Sequence, residues 1–514
     1  MKKTIALILA LVMLMALSAC GGSSANPASS SSAAPASQAG KDTLVVVTDS
    51  DLGNMSPFGS GNSFSYMQDQ VYEELFMLGY DMEYTPKLAE SWDKVDDTHY
   101  TFHLREGLKD SAGNPITASD VLFSMKLYQT DASYSQYVAH VDFDKTVATD
   151  DRTVDVYFAD TNAFAFSQLA GIRIVTKAAW EASPDQMVTN PVGSGPYKLK
   201  EYVGGSYFVL EANENYWGEQ PTIKEVRFNI VSEPSQRTTQ LETGAADLVM
   251  SLQASDVKYI SEKANFDVMN HISVQTMTMF FNMDPVSVMS SKELRQGLCY
   301  AIDNSAMNAM AYGGFCAPST AFFSTGMTDY TDDMAKEIYT TVNQDKANEL
   351  FAASGVTGGD IRIATDGSPA ETTIAQMIQP ILINAGFNVT IDAYDAATIW
   401  SVAADPSQWD LLLMIAAAPS GNGLDEMTAF LAGLNFSKWS GENFDTAVGL
   451  LMQASNTVDE TARLELTKQA LDIVEDDVPA YGIVQIAQSF AYSSNLNFRV
   501  WNQASLYVAD LQFS

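Results

Sequence analysis

Residues 84–126 read YTPKLAESWDKVDDTHYTFHLREGLKDSAGNPITASDVLFSMK, and this stretch decides the fold. Every second residue from Tyr100 to Leu104 is apolar, which predicts a strand buried on one face. A Gly-Asn-Pro turn follows the strand. Thr117, with Asp120 three positions later, then predicts the capped start of a helix.

The length and composition indicate a globular protein with more than one lobe. A chain of 514 residues is too long for a single core. The sequence is 46% hydrophobic and 18% charged, with 28 basic and 63 acidic side chains and a formal charge of −35. Such a surface repels polyanions, so nucleic acid and bare anionic lipid are poor partners.

The first 41 residues carry processing signals rather than a folded domain. Two lysines precede a short apolar core from Thr4 to Leu17, which is too short to span a membrane and is typical of a signal peptide. The signal peptide is predicted at residues 1–20, ending in Leu-Ser-Ala-Cys with Cys20 last. Residues 21–41 are rich in Ser and Ala and are predicted to form a flexible tether.

The second half of the chain alternates predicted helices and strands from Asp345 onward, which favours an α/β lobe with parallel strands. Leu411 to Ala418 is a continuous apolar run, as expected for a strand buried on both faces. Elsewhere the apolar spacing from Phe64 to Leu78 predicts a helix. Capping pairs are predicted at two further helix starts, formed by Ser290 with Glu293 and by Thr457 with Glu460.

The order of these motifs resembles the extracytoplasmic solute-binding proteins of ABC importers, in particular family 5, which binds oligopeptides, dipeptides and nickel. The resemblance rests on residues 84–126, on PVGSGPY at 191–197 and on RQGLCYAID at 295–303. It implies an α/β, two-lobed periplasmic-binding-protein (Venus-flytrap) fold with an extra subdomain in the first lobe.

The domain boundaries follow from matching the chain to this fold. The predicted segments are 42–66, 187–273 and 478–514 for lobe I, 67–186 for its extra subdomain, and 274–477 for lobe II. The chain is expected to cross between the lobes near 271–276 and 478–480. Two connections form a hinge, and a cleft between hinged lobes suits ligand capture.

The resemblance also implies a location and a set of partners. Cys20 is expected to be diacylated through its sulfur, and two acyl chains anchor a protein stably at the outer face of the cytoplasmic membrane. The expected partners are the permease subunits of an ABC importer with a cytoplasmic ATPase, and the protein is expected to be a monomer. The expected solute is a short peptide or peptide-like molecule, with a nickel chelate or an oligosaccharide as the alternatives.

Six residues are predicted to bind the solute. They are Asn54, Ser56 and Phe58 in a loop that the family places in the cleft, Asn282 at the crossing between lobes, Asp425 and Trp439.

Peptide-binding members of the family hold the ligand ammonium with an Asp just after the strand that matches 411–418. Pro419 stands at that place, and Asp425 is the first carboxylate after the strand. Asp425 is therefore the predicted replacement. An oligosaccharide would instead stack on Trp400, Trp409 or Trp439.

The sequence does not predict an enzyme, a metal site or a cofactor. His99 and His103 are four residues apart but fall on the predicted strand, not on a helix as in a zinc protease. The Gly-x-Ser-x-Gly pattern of serine hydrolases does not occur. Cys299 and Cys316 have two possible states, a disulfide between them or two reduced thiols, since an extracytoplasmic location permits either.

Overall fold

The structure is a computed structural model that describes residues 41–49, 51, 55–58, 67–79, 83–131, 134–395, 398–417, 421–500 and 506–514. They belong to a compact unit that extends from Gly40 to Ser514. Cys20, residues 21–40 of the predicted tether, Asn54 and Pro419 lie outside the described residues.

The strands of the described chain are β1 (Thr43–Thr48), β2 (Phe76–Leu78), β3 (Tyr84–Pro86), β4 (Ala89–Asp96), β5 (His99–Leu104), β6 (Val147–Ala148), β7 (Thr153–Tyr157), β8 (Tyr197–Val203), β9 (Tyr207–Ala212), β10 (Glu225–Ile230), β11 (Leu248–Val249), β12 (Phe266–Phe281), β13 (Ala317–Pro318), β14 (Asp360–Thr365), β15 (Asn388–Ala393), β16 (Leu411–Ala416) and β17 (Ala480–Ser493). Eleven of them form one large sheet in the order β15-β14-β16-β12-β17-β11-β1-β10-β9-β8, with β13 paired to β17.

The helices of the described chain are α1 (Gln68–Val71), α2 (Ala118–Thr130), α3 (Ala165–Gln168), α4 (Lys177–Ala182), α5 (Pro234–Glu242), α6 (Ala254–Ser261), α7 (Lys292–Ala301), α8 (Asn304–Tyr312), α9 (Glu337–Thr340), α10 (Gln344–Ala353), α11 (Pro369–Asn384), α12 (Thr398–Ala403), α13 (Gly423–Met427), α14 (Glu442–Ser455) and α15 (Glu460–Asp477). A π-helical segment, Thr428–Gly433, directly continues α13.

The stretch that decides the fold forms a separate four-stranded sheet, in the order β4-β5-β7-β6. Phe102 and Leu104 of β5 are buried in its core, as the alternation predicts. The backbone N–H of Thr117 donates to the Asp120 carboxylate at 2.9 Å, which confirms the predicted capping box at the start of α2. We call this sheet, α2 and the segment 134–176 packed on them the small subdomain.

Two long antiparallel strands, β12 and β17, join the two halves of the large sheet. β12 pairs with β16 from Thr276 to Phe281, whereas β17 pairs with β11 near its opposite end. Between these ends the two strands pair with each other, and their register shifts between Ile272 and Thr276. We refer to β1 and β8–β11 as the first half of the sheet and to β14–β16 as the second half.

The second half has the parallel strands that the sequence predicts. β14 pairs in parallel with both β15 and β16. Leu411, Leu412 and Leu413 of β16 are completely buried, in agreement with a strand covered on both faces. The strand ends at Ala416, two residues before the predicted end.

The helix predicted from Phe64 to Leu78 is wrong over most of its described length. Only α1 is helical, and Phe76–Leu78 is a strand paired with Tyr84–Pro86. The helix ends because the Val71 carbonyl accepts the backbone N–H of Gly195 at 2.8 Å. A Cβ on Gly195 would lie 2.4 Å from the Gln70 carbonyl oxygen, so only glycine permits this approach.

Both predicted capping pairs at the later helices are displaced. Ser291, not Ser290, accepts the backbone N–H of Leu294 and caps α7, because Ser290 already belongs to a preceding 3-10 turn. Asp459, not Thr457, accepts the N–H of Ala462 and caps α15. The Thr457 hydroxyl instead donates to the Gln453 carbonyl and closes the end of the preceding helix.

A buried carboxyl group on α15 makes the stability of this fold depend on pH. Glu475 is 6% exposed, and burial raises its pKa from 4.5 to about 9, although the nearby Lys336 opposes the shift. The unfolded chain therefore loses this proton at a lower pH than the folded chain does. It follows that the stability contributed by this group is complete below pH 4.5 and is lost as the pH rises towards 9.

We predict that Glu475→Gln stabilises the protein at pH 8 by roughly 1–3 kcal/mol, because glutamine cannot ionise in the unfolded chain. At pH 4.5 the difference from wild type is expected to vanish. Urea unfolding at both pH values measures the effect, with the exposed Glu219→Gln as control. An equal effect of Glu475→Gln at the two pH values would contradict the raised pKa of Glu475.

Candidate ligand-binding cleft

The carboxyl ends of β14, β15 and β16 form one edge of the second half of the sheet. In α/β proteins ligands bind at such an edge. Asp366 follows β14, and its side chain accepts the backbone N–H of Ser368 at 2.8 Å. Asp395 follows β15 and accepts the N–H of Thr398 at 3.0 Å. The hydrogen bonds hold both carboxylates at this edge.

The short helix α13 carries Asp425 at the end of the loop that follows β16. Asp329 fixes the start of this helix, because its buried carboxylate accepts the backbone N–H groups of Gly423 at 2.6 Å and Leu424 at 3.0 Å. A Cβ on Gly423 would lie 2.5 Å from the ring of Phe323, so the residue must be glycine. Asp425 therefore projects from a firmly positioned turn.

Asp425 lies close to the small subdomain. Burial raises the pKa of Tyr137, the guanidinium of Arg173 lowers it, and the Asp425 carboxylate raises it. Leu424 and Met427 of α13 share a buried cluster with Phe164, so α13 and the small subdomain face each other. We refer to the space between α13 and the small subdomain as the cleft.

Five aromatic side chains, of which Tyr128 is buried, pack together beside the small subdomain, and we call them the aromatic group. The ring of Phe58 lies 5.0 Å from Tyr128, 5.7 Å from Tyr134 and 5.6 Å from Trp180. Tyr134 stacks on Tyr137 at 6.1 Å. Faces of aromatic rings bind apolar side chains and cations.

Arg173 is shared by two carboxylates beside this group. Its guanidinium donates to Asp69 at 3.0 Å and to the Pro57 carbonyl at 3.1 Å, and Glu74 lies 3.9 Å from its Nε. Burial raises the pKa of Asp69 and raises the pKa of Glu74 to about 8, with Arg173 opposing both shifts. Glu74 is therefore largely protonated at neutral pH, and the Arg173 guanidinium pairs chiefly with Asp69.

The two walls also touch each other directly. The backbone N–H of Ala163 in the small subdomain donates to the Ser455 carbonyl at the end of α14, at 2.7 Å. Phe164 is buried in a cluster of second-half side chains that includes Leu424 and Met427. This contact borders the cleft next to α13.

The structure brings two of the predicted binding residues to this cleft. Phe58 belongs to the aromatic group, and Asp425 lies on α13, which packs against Phe164 of the small subdomain. Ser56 is buried two residues before Phe58, and Asn54 lies outside the described residues. Their contacts with a solute stay predictions.

Asn282 and Trp439 use their polar atoms inside the second half. The Asn282 amide donates to the carbonyls of Pro406 at 2.8 Å and Trp409 at 3.0 Å. Trp439 is 1% exposed, and its indole N–H donates to Asp477. We therefore do not include either residue in the cleft proposed below.

Several cleft residues were not predicted from the sequence. Asp366 and Asp395 each directly follow a strand of the parallel sheet, and that position is a signal that could have found them. Arg173, Asp69 and Tyr137 come from separate segments, and no local pattern marks them.

The described residues contain no group of three His, Cys, Asp or Glu side chains placed to hold a metal ion. The rings of His99 and His103 contact Asp155 and Asp93 on the small-subdomain sheet. Cys299 and Cys316 are both free thiols. Within the described part of the chain, no helix is long and apolar enough to cross a membrane.

Two sheet halves joined by two long strands, with a cleft beside the carboxyl ends of parallel strands, define a two-lobed binding protein. Residues 83–457 match the family described as bacterial extracellular solute-binding proteins, family 5 Middle. The chain belongs to this family. Family membership confirms the predicted extracytoplasmic solute-binding role in an ABC importer.

The similar proteins agree with this assignment. The chain is 24% identical over 480 residues to the dipeptide-binding protein of Escherichia coli (strain K12), with 85% of this chain and 88% of that protein covered. The ABC transporter substrate binding protein CtaP from Listeria monocytogenes has a TM-score of 0.81 at 22% identity, covering 92% of this chain and 99% of that chain. NikA from Brucella suis in complex with Fe(III)-EDTA has a TM-score of 0.82 at 18% identity, with 92% and 100% covered. These likenesses confirm the predicted two-lobed α/β fold class.

Proposed function

We propose that the chain captures a short peptide or peptide-like solute in this cleft and delivers it to the permease of an ABC importer, where a cytoplasmic ATPase drives transport. The observation that carries the proposal is the position of α13: Asp329 fixes its start, and its Leu424 and Met427, which flank Asp425, share a buried cluster with Phe164 of the small subdomain. A carboxylate on one wall suits a ligand ammonium, and rings on the other suit its side chains. Similarity to a dipeptide-binding protein supports the same class of solute.

Asp425 takes the place of the family's ammonium-binding Asp in this proposal. That Asp would stand where this chain has Pro419, which offers neither a charge nor a hydrogen-bond acceptor. Asp425 is the first carboxylate after β16, and Asp329 positions the turn that carries it. A ligand ammonium buried in a closed cleft needs such a partner, because an uncompensated buried charge is costly.

The second candidate solute is a metal chelate, supported by the likeness to NikA with Fe(III)-EDTA. An oligosaccharide stacked on Trp400, which is 51% exposed, is a third candidate. Acidic side chains on both walls favour a cationic ligand group over an anionic chelate. In this proposal the protein binds without catalysis and uses no cofactor.

We further propose that the lobes close by rotation about β12 and β17, with the lobe boundaries given in the sequence analysis. The register shift between Ile272 and Thr276 supports a hinge there, since irregular pairing leaves fewer ladder hydrogen bonds to distort. The protein is proposed to act as a monomer. Cys20 is proposed to carry the lipid that holds it at the outer face of the cytoplasmic membrane.

The proposed ammonium contact predicts a specific loss of affinity. Acetylating the N-terminus of the best-binding di- to pentapeptide, or changing Asp425→Asn, should each weaken binding by about 2–5 kcal/mol, because each removes one partner of a buried charge pair. Calorimetry measures both, with the exposed Asp445→Asn on the same half as control. If peptides fail to bind while sugars or metal chelates do, the peptide proposal is wrong.

Lobe closure predicts a smaller radius of gyration when the solute is bound. A ligand can drive closure only if it binds the closed state more tightly. Small-angle scattering with and without saturating peptide measures the change, and the Asp425→Asn protein at the same peptide concentration serves as control. An unchanged scattering profile of the wild type at saturation would exclude closure.

The proposed anchor predicts that Cys20→Ala releases the protein from the membrane. Without the thiol no acyl chain can be attached through sulfur. Detergent phase partitioning of the two proteins, expressed in bacteria, measures the effect. The anchor is wrong if both proteins enter the detergent phase equally.

A further inference from the structure

The second-half wall of the cleft is built from a stretch of sequence without basic residues. No Lys, Arg or His occurs between Arg362 and Lys438. The same stretch holds eight acids, at positions 366, 371, 392, 395, 405, 410, 425 and 426. The whole sequence from 363 to 437 is known, so the undescribed residues 396–397 and 418–420 add no base.

This stretch supplies the loops at the carboxyl ends of β14, β15 and β16. Asp366 and Asp395 lie one and two residues after the ends of β14 and β15, and Asp425 lies on α13, which follows β16. A carboxylate of a bound solute would find no cationic side chain supplied by residues 363–437. A cationic group of the solute would find negative charge at each of the three loops.

The opposite wall has one close ion pair beside the aromatic group. Arg173 donates to Asp69 at 3.0 Å and its backbone N–H donates to the Tyr128 hydroxyl at 3.0 Å, and Glu74 lies 3.9 Å from its Nε. The side chains of Asp69 and Glu74 remain 22% and 15% exposed, so solvent or a ligand can reach them. Four members of the aromatic group beside them are partly exposed, and the faces of aromatic rings attract cations.

We propose that the cleft selects solutes with a positive charge beyond the N-terminal ammonium, such as short peptides with a Lys or Arg side chain, and that it does not require a free carboxylate. The proposal rests on the peptide-binding function proposed above. In the closed cleft the additional cation lies between the aromatic group and the carboxylates of Asp69 and Asp425. Basic solutes are thereby distinguished from neutral and acidic solutes of equal size.

A matched set of tripeptides tests this selectivity on the wild-type protein. Ala-Lys-Ala, Ala-Gln-Ala and Ala-Glu-Ala are each measured by calorimetry at 0.15 M salt, as free acids and as C-terminal amides. We expect the Lys peptide to bind about tenfold more tightly than the Gln peptide, which corresponds to about 1.4 kcal/mol, and the Glu peptide to bind more weakly than both. Amidation should leave affinity unchanged or raise it.

Charge variants separate a local effect from the field of a protein with a charge of −35. Asp69→Asn should reduce the preference for Lys over Gln at least threefold, whereas Glu219→Gln, an exposed position outside the cleft, should leave the preference unchanged.

Three results would overturn the proposal. They are equal binding of the Lys and Glu peptides, a loss of more than tenfold on amidation, and equal effects of the two variants. In these cases the peptide-binding function stands and only its charge selectivity is wrong. If none of the peptides binds, the proposed peptide function fails as well.

Discussion

The pairing of β12 with β17 is the interaction on which the rest of the structure depends. These two strands are shared by both halves of the large sheet, so their ladder of hydrogen bonds positions each half against the other. The register is regular from Phe266 to Ile272 and again from Thr278 to Phe280. The irregular part lies between, where a change of twist distorts the fewest bonds. A cleft that opens and closes needs this combination of firm ends and a compliant centre.

One short segment connects that centre to the ligand-binding wall. The backbone N–H of Thr325 donates to the side chain of Gln485 on β17 at 3.0 Å, and the Ser324 hydroxyl donates to the Ser273 carbonyl at 2.7 Å. A few residues later Asp329 accepts the N–H groups that start α13. The position of Asp425 is therefore tied to the strands that cross between the halves.

The sequence predicted those features that depend on local patterns or on long motifs. The strand through Phe102, the capping box at Thr117 and the buried strand at 411–416 all follow from periodicity and hydrogen-bond geometry over a few residues. The helix predicted at 64–78 failed because a distant glycine, Gly195, takes the carbonyl needed to continue it. Arg173 could not be predicted, since the acceptors of its guanidinium, Pro57 and Asp69, are more than a hundred residues away.

The cleft therefore combines a family architecture with its own distribution of charge. Capture of a basic peptide between Asp425 and the aromatic group is tested most directly by identifying the solute that co-purifies with the protein. The protein is purified without added ligand, and the molecules released on unfolding are analysed by mass spectrometry. Our account predicts short peptides enriched in Lys and Arg. A sugar, a metal chelate or acidic peptides as the released solute would contradict it.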